Sequence, residues 1–372
     1  MIEKPVHQGL DGSTDYVQSP VGEGDIPAAK KEGGGEQPQN YWRLVRRQFR
    51  KNRPAVAALL FIGLLVVVGI FADFLASDKP IICKYEGTLY VPVVKEYFVD
   101  IGWDTWPDGL ANADWKSLEF DWSIFPPVPY RANETDNSFP MIPPFAEGEH
   151  SHYLGTDQLG RDMLAGLIHG TRISLTVGLV AMGIATLIGV ILGALAGYFG
   201  GWVDMVVSRV IEIFLNFPVL LLIITIVAFL GANIFYMMVV IGLTGWMGIA
   251  RLTRGEVLRV RNMEYVTAAD ALGFNPSRVI LRHVIPNSLA PVLVSIAFGI
   301  ASAILIEASL SFIGVGVPAT VVTWGSTLNS GLSAVYAWWL TVFPGFMIFL
   351  TVLSYNLLGD GLRDATDPRL KI

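Results

Sequence analysis

The sequence predicts an all-α membrane protein of six transmembrane helices, with an irregular extracytoplasmic insertion after the first. Two observations carry that expectation. Hydrophobic residues make up 52% of the 372 residues and charged residues only 16%, whereas soluble domains carry about 25% charged residues. The deficit is also local. Between Ile173 and Ala250 only Asp204, Arg209 and Glu212 are charged, and between Ser288 and Gly359 only Glu307. Stretches like these exclude a water-soluble enzyme. The formal net charge of −6 argues against a nucleic-acid partner, which would call for a basic surface. The single cysteine, Cys83, leaves no internal disulfide and no cysteine-based metal site.

About 20 apolar residues cross a hydrocarbon core of roughly 30 Å as a helix. Residues 1–40, rich in Gly, Glu, Asp, Pro and Gln, read as a disordered cytoplasmic N-terminus. Residues 41–76 hold a basic amphipathic segment and the first span, from 54 to 76. Residues 77–150 form the insertion, with four of the ten tryptophans (Trp103, Trp106, Trp115 and Trp122) and many prolines. Residues 151–372 form a core of five further spans. These run over 173–198, 203–230 with Pro218 inside, 234–252, 289–315 and 337–358.

Lys and Arg near the span ends set the orientation. Arg43, Arg46, Arg47, Arg50, Lys51 and Arg53 precede the first span. Arg251, Arg254, Arg259, Arg261, Arg278 and Arg282 lie between the fourth and fifth, and Arg363, Arg369 and Lys371 follow the sixth. Both termini and the loop 252–288 are therefore expected in the cytoplasm, in a multi-pass inner or plasma membrane protein. Arg161 and Arg172, before the second span, run against the rule.

Gly189, Gly193, Gly197 and Gly201 recur every four residues, with Ala185 extending the series. Such a stripe lets a neighbouring backbone approach closely. Arg209 and Glu212, three residues apart, can pair on one helix face. Glu307 has no sequence neighbour to pair with. A charge inside a membrane normally faces a cavity or a partner, so Glu307, Glu212 and Arg209 are candidates for a translocation pathway. A structural ion pair or an interhelical hydrogen bond is the plainer alternative. His150 and His152, beside Glu147 and Glu149, have metal-binding chemistry, but two loop histidines more often bind nothing, and no metal site is expected. No catalytic constellation is visible. No Gly-Lys dipeptide occurs, so the chain holds no Walker phosphate loop.

The most informative stretch runs from Tyr265 to Asn287. Ala268, Ala269 and Ala271 suit a short smooth helix that Gly273 can cap. Asn275 and Pro276 start a second helix, and Pro286 with Asn287 is expected to break it before the fifth span. A short exposed helix with a small-residue face can dock in a groove on another protein.

This stretch resembles the EAA loop of ABC importer permeases: Glu-Ala-Ala, three residues, Gly, nine residues, then Ile, one residue, Leu-Pro. The alanines fall at Ala268 and Ala269, the glycine at Gly273 and the proline at Pro286. Thr267 occupies the glutamate position, His283 the isoleucine and Ile285 the leucine. Leu154-Gly155-Thr156-Asp157-Gln158-Leu159-Gly160-Arg161-Asp162, Gly170 to Leu175, and the tail from Gly361 to Arg369 resemble C-type permeases of dipeptide and oligopeptide importers. Ser77 to Pro80, Tyr85 to Gly87 and Pro92 to Tyr97 resemble the subgroup linked to microcin C import.

The resemblance implies the type I permease fold and one half of a peptide-importing pore. It implies as partners a homologous B-type permease, two cytoplasmic ATPase subunits, an extracytoplasmic solute-binding protein and membrane lipid. ATP and magnesium would be bound by the ATPase subunits, and no cofactor by this chain. Thr267, Ala268, Ala269, Asp270, Ala271, Leu272, Gly273 and Pro286 would couple it to an ATPase. Nickel, opine or microcin-like peptide cargo fits the same architecture. A rival of another class is a secondary transporter coupling H⁺ or Na⁺ through Glu212 and Glu307, for which matching discontinuous repeats would be expected; none is seen.

Overall fold

A computed structural model describes residues 41–366 apart from 108, 112, 137, 147–151 and 319. The expected disorder of 1–40, the residues His150, Glu147 and Glu149, and the tail residues Asp367, Pro368, Arg369 and Lys371 lie outside the described residues.

Helix α1 (Tyr41–Phe49) leads into α2 (Arg53–Ile70), the first span. Asn52 caps α2 by accepting from the Ala55 amide at 3.2 Å, and Pro54 occupies the first turn, where no amide is needed. A single turn, α3 (Ala72–Leu75), follows its C-terminal end.

The insertion is more regular than its sequence suggests. Strands β1 (Ile82–Tyr85) and β2 (Thr88–Tyr90) form a hairpin, followed by α4 (Pro92–Asp100) and β3 (Trp122–Ile124). The sheet is antiparallel in the order β2-β1-β3, with Cys83 opposite both Tyr90 and Ser123. Glu86 and Gly87, both with positive φ, make the two-residue turn whose twist suits a hairpin. Cys83, Leu110 and Trp115 form a small buried core, against which Trp106 and Phe120 pack. The short strands gave no clear alternation, so the sheet was not legible from pattern.

Helix α5 (Met163–Phe199) has 37 residues, about 55 Å of helix. It begins ten residues before Ile173 and overshoots the hydrocarbon core. The expected single span over 203–230 is instead two helices, α6 (Gly201–Leu215) and α7 (Val219–Leu230), bent by 85°. Pro218 is the cause. It lacks an amide hydrogen, and it drives Phe217 out of helical geometry. Among the described residues five helices are long and apolar enough to cross a membrane, and up to six if the bent pair counts as one span.

Helix α8 (Ile234–Arg261) runs nine residues past Leu252, so the loop 252–288 is largely helical. It continues as α9 (Glu264–Ala271), α10 (Pro276–Val279) and a π turn over Ile280–Val284, which joins directly to α11 (Ile285–Phe312). Pro286 therefore does not break the helix. It lies in the first turn of α11, behind the π turn, where one wide turn relieves the clash a proline ring makes with the carbonyl four residues back. Helices α12 (Trp324–Ser330) and α13 (Trp339–Thr366) complete the chain.

The glycine stripe is the axle of the core. A Cβ on Gly189 would sit 2.6 Å from Ile249 Cβ, on Gly193 2.5 Å from the Ala250 carbonyl, and on Gly197 2.8 Å from the Arg254 carbonyl. Helix α5 thus meets α8 backbone to backbone over three turns, the close packing small residues permit in lipid. Gly201 departs from the stripe; it starts α6 with open space around it. Helices α2, α11 and α13 pack around this pair through Ile62, Leu65, Val292, Ile300, Ile304 and Tyr355.

Candidate functional site

At the end of the core that carries the 252–288 segment, α9 is held by its inner face and open on its outer face. Val266 and Ala269 are buried against Tyr198 of α5, Val257 and Val260 of α8, and Val279 and Val284. Thr267, Ala268, Asp270, Ala271, Leu272 and Gly273 are exposed. The Tyr198 hydroxyl donates to Asp270 at 2.8 Å, and the Arg261 guanidinium lies over the Tyr198 ring at 5.8 Å. A bidentate ion pair from Arg254 to Asp204 ties α8 to α6. These contacts tie α9 to the base of the α5–α8 pair and α8 in turn to α6.

The helix ends in a Schellman turn. Gly273, with φ +75°, donates to the Asp270 carbonyl at 3.0 Å, and Phe274 to the Ala269 carbonyl at 3.2 Å. These bonds satisfy orphan carbonyls, and the left-handed position favours glycine. Asn275 then caps α10 by accepting from the Ser277 amide at 3.1 Å. Around the turn Leu272, Phe274 and Leu281 stand exposed, an apolar cluster next to the small-residue face. Thr267, where the EAA pattern has glutamate, spends its hydroxyl on the Glu264 carbonyl at 3.0 Å, so no ion pair is made there. Pro286 is exposed two residues beyond the π turn.

The membrane candidates part company. Arg209 and Glu212 form the expected pair at 2.6 Å, with both side chains more than half exposed. Glu307 does not face a cavity. It is fully buried, accepting from Ser311 at 2.7 Å and from Ser174 of α5 at 3.3 Å. The reason is α12, which packs directly on this stretch of α11: a Cβ on Gly325 would lie 2.5 Å from the Ala308 carbonyl and 2.8 Å from Ser311 Cβ, so the small residues near Glu307 admit a helix rather than leave open space.

A cavity of about 350 Å³ lies instead between α5, α7, α8 and α11. Thr244, Gly245, Gly248, Ser295, Gly299 and Ser302 line it, near the midpoints of α8 and α11. Ser295, Gly299 and Ser302 follow a four-then-three spacing on one face of α11, a signal the sequence carried but the search for charges passed over. Small hydroxylated and glycine positions make a surface that tolerates water beside apolar walls.

At the opposite end an ionic cluster joins the insertion to the core. Arg172 of α5 donates to the Gly69 carbonyl at 2.7 Å and to Asp73 at 2.6 Å, and Tyr97 of α4 donates to the same carboxylate. Burial would raise the Asp73 pKa, but the bonds from Tyr97 and Arg172 outweigh it and hold the carboxyl below its usual range. Glu96 behaves likewise: burial raises it, while Lys79, Trp106 and Arg131 lower it further. These residues lie too far apart in sequence to be paired by inspection. His152, expected in an exposed loop, is buried, with Nδ1 2.8 Å from Asp162 and its ring stacked on Tyr130. Asp162 in turn caps α5. Gly155 and Gly160 have positive φ and no room for a Cβ, which on Gly160 would lie 1.8 Å from the Asp136 carbonyl. The stretch from Leu154 to Asp162 is thus a rigid lid on α5, pinned by the insertion and by Trp339, which donates to the Thr156 carbonyl at 3.0 Å.

Comparison with known proteins agrees with this layout. Residues 189–372 match the binding-protein-dependent transport system inner membrane component, and residues 40–85 the N-terminal TM domain of oligopeptide transport permease C. The dipeptide transport system permease protein DppC of Alkalihalophilus pseudofirmus is 34% identical over 331 residues, covering 89% of this chain and 90% of that protein. The oligopeptide transport system permease protein OppC of Bacillus subtilis is 32% identical, covering 93% of this chain and 96% of its own. The peptidoglycan transport system permease protein YejE of Agrobacterium fabrum is 33% identical, covering 87% and 92%. With both family models matched and relatives aligned over nearly their whole length, this chain belongs to the inner-membrane permeases of ABC transport systems, among the C-type dipeptide and oligopeptide permeases.

Proposed function

We propose that this chain forms half of the pore of an importer for peptides or peptide-like solutes, completed by a homologous B-type permease. Two cytoplasmic ATPase subunits would bind ATP and magnesium and do the hydrolysis, and an extracytoplasmic binding protein would deliver the cargo. The single observation that carries the coupling role is α9, locked to α5 and α8 through Val266, Ala269 and Asp270 while Ala268, Ala271 and Leu272 remain open. An ATPase that grips this helix moves the α5–α8 pair as a rigid body, the kind of motion by which packed interfaces switch. The cavity lined by Gly245, Gly299 and Ser302 is the better candidate for the pathway wall. The names of the relatives span dipeptide, oligopeptide and peptidoglycan transport, so the class of cargo is peptide-like and its length is left to the binding protein.

Vesicles holding the full complex test this reading. Peptide uptake should require ATP, stop with orthovanadate and survive a protonophore. Uptake that ignores orthovanadate and collapses with the protonophore would replace it with the ion-coupled reading. Orientation has its own test. Cys83 is buried, and burial raises its thiol pKa, so it does not report. A cysteine at exposed Glu119 should react with an impermeant maleimide in spheroplasts, and one at exposed Asn275 only after lysis. The reverse order of labelling would invert the topology.

A further inference from the structure

Helix α4 has two faces of opposite character. Val93, Glu96, Tyr97 and Asp100 line the charged cavity against the core. On the adjoining face Val94, Phe98 and Ile101 are exposed at the spacing of one helix face, and Trp103, 77% exposed, stacks on Phe98 at 6.4 Å. An apolar stripe of this kind facing water would be costly on an isolated loop domain. Its height is fixed by the ionic cluster. Tyr97 and Arg172 both bond Asp73, and Arg172 also bonds the Gly69 carbonyl at the last turn of α2. The middle of α4 therefore lies level with the end of the first span. There the exposed apolar side of α2, through Val67, Ile70 and Phe71, runs up to the same level. An exposed apolar belt on a membrane-spanning helix meets lipid, and aromatic residues concentrate where that belt ends.

We propose that α4 is an interfacial helix, its Val94, Phe98, Ile101 and Trp103 side seated at the headgroup–acyl boundary of the leaflet at the end of α2. The occupant of this face is lipid, because the ionic cluster sets it at the height where the exposed apolar side of α2 ends. Through Tyr97 and Asp73 the helix would brace the outer ends of α2 and α5 against the bilayer. Which leaflet this is follows from the orientation proposed above; the maleimide test reads orientation without depth, and the test below reads depth without orientation.

Nitroxides on single cysteines at positions 98, 101 and 119, in the whole complex in phosphatidylethanolamine–phosphatidylglycerol vesicles, measure it by collision with oxygen and with a water-soluble nickel chelate. Buried Cys83 adds no background label. Positions 98 and 101 should favour oxygen, at depths of about 5–10 Å, and position 119 should favour nickel. Nickel access at 98 and 101 equal to that at 119 overturns the proposal. Shielding of 98 and 101 from both reagents overturns it as well and makes the face a protein-docking surface. An independent reading needs no label: in brominated lipid, Trp103→Phe should lower the quenched fraction of tryptophan emission relative to the unaltered chain. An unchanged quenched fraction overturns the proposal.

Discussion

Replacing Gly273 with tryptophan is expected to abolish transport while leaving the chain folded in the membrane. Gly273 sits at the C′ position of α9 with φ +75°, and a Cβ there would meet nothing within 4 Å. The chain itself has room for a side chain; a partner that grips α9 between Leu272 and Phe274, as proposed above, would not. Two effects have to be separated. Any L-residue other than asparagine or aspartate pays roughly 1–2 kcal/mol for the left-handed backbone, and only a large one obstructs docking. Gly273→Asn should therefore stay close to the unaltered chain, because asparagine visits this conformation. Gly273→Ala carries the strain without the bulk and should lose a little stability. Gly273→Trp adds the obstruction. Losing a central docking contact costs at least about 2 kcal/mol, roughly 30-fold in affinity. ATPase subunits should therefore co-purify poorly with the tryptophan variant and uptake should vanish. Normal co-purification together with normal uptake would end the docking assignment of this turn.

Much of this architecture was legible because lipid enforces simple rules. Charge-free stretches marked the spans, and the four-residue glycine repeat marked the face where α5 meets α8. The capping glycine and Asn275-Pro276 marked the ends of α9 and α10. Other features were hidden for identifiable reasons. Pro218 is compatible with a kinked span as well as a broken one, and only the packing of α6 and α7 decides for 85°. Pro286 read as a breaker because a π turn has no sequence signature. The sheet of the insertion is built from strands of three or four residues, too short to show alternation. The cluster of Asp73, Tyr97 and Arg172 is assembled by topology from three separate elements, and a carboxylate and an arginine 99 residues apart announce nothing to each other along the chain.

Glu307→Gln is expected to leave assembly, thermal stability and uptake near those of the unaltered chain, whereas Glu307→Leu should lose all three. The sequence offered Glu307 as a wet foothold in the pathway, and its burial changes the expectation. The carboxylate has no surface to offer a passing peptide in this conformation, and its oxygens are engaged by Ser311 of α11 and Ser174 of α5. It ties the two helices together. Glutamine keeps the shape. Its carbonyl oxygen can accept from one serine, and another hydroxyl can turn to accept from its amide, since a hydroxyl both donates and accepts. Leucine removes every bond and leaves buried hydroxyls without a partner, at about 1–3 kcal/mol for each group left unsatisfied. Ser311 and Ser174 can each fall back on the carbonyl four positions earlier in their own helices, so the loss falls at the low end of that range and lies chiefly in the tie between α11 and α5. The melting temperature of the purified complex and peptide uptake in vesicles, measured side by side, decide the matter. A glutamine variant that assembles and melts normally yet fails to transport would show that the charge itself acts in the transport cycle, and that the buried arrangement opens during it.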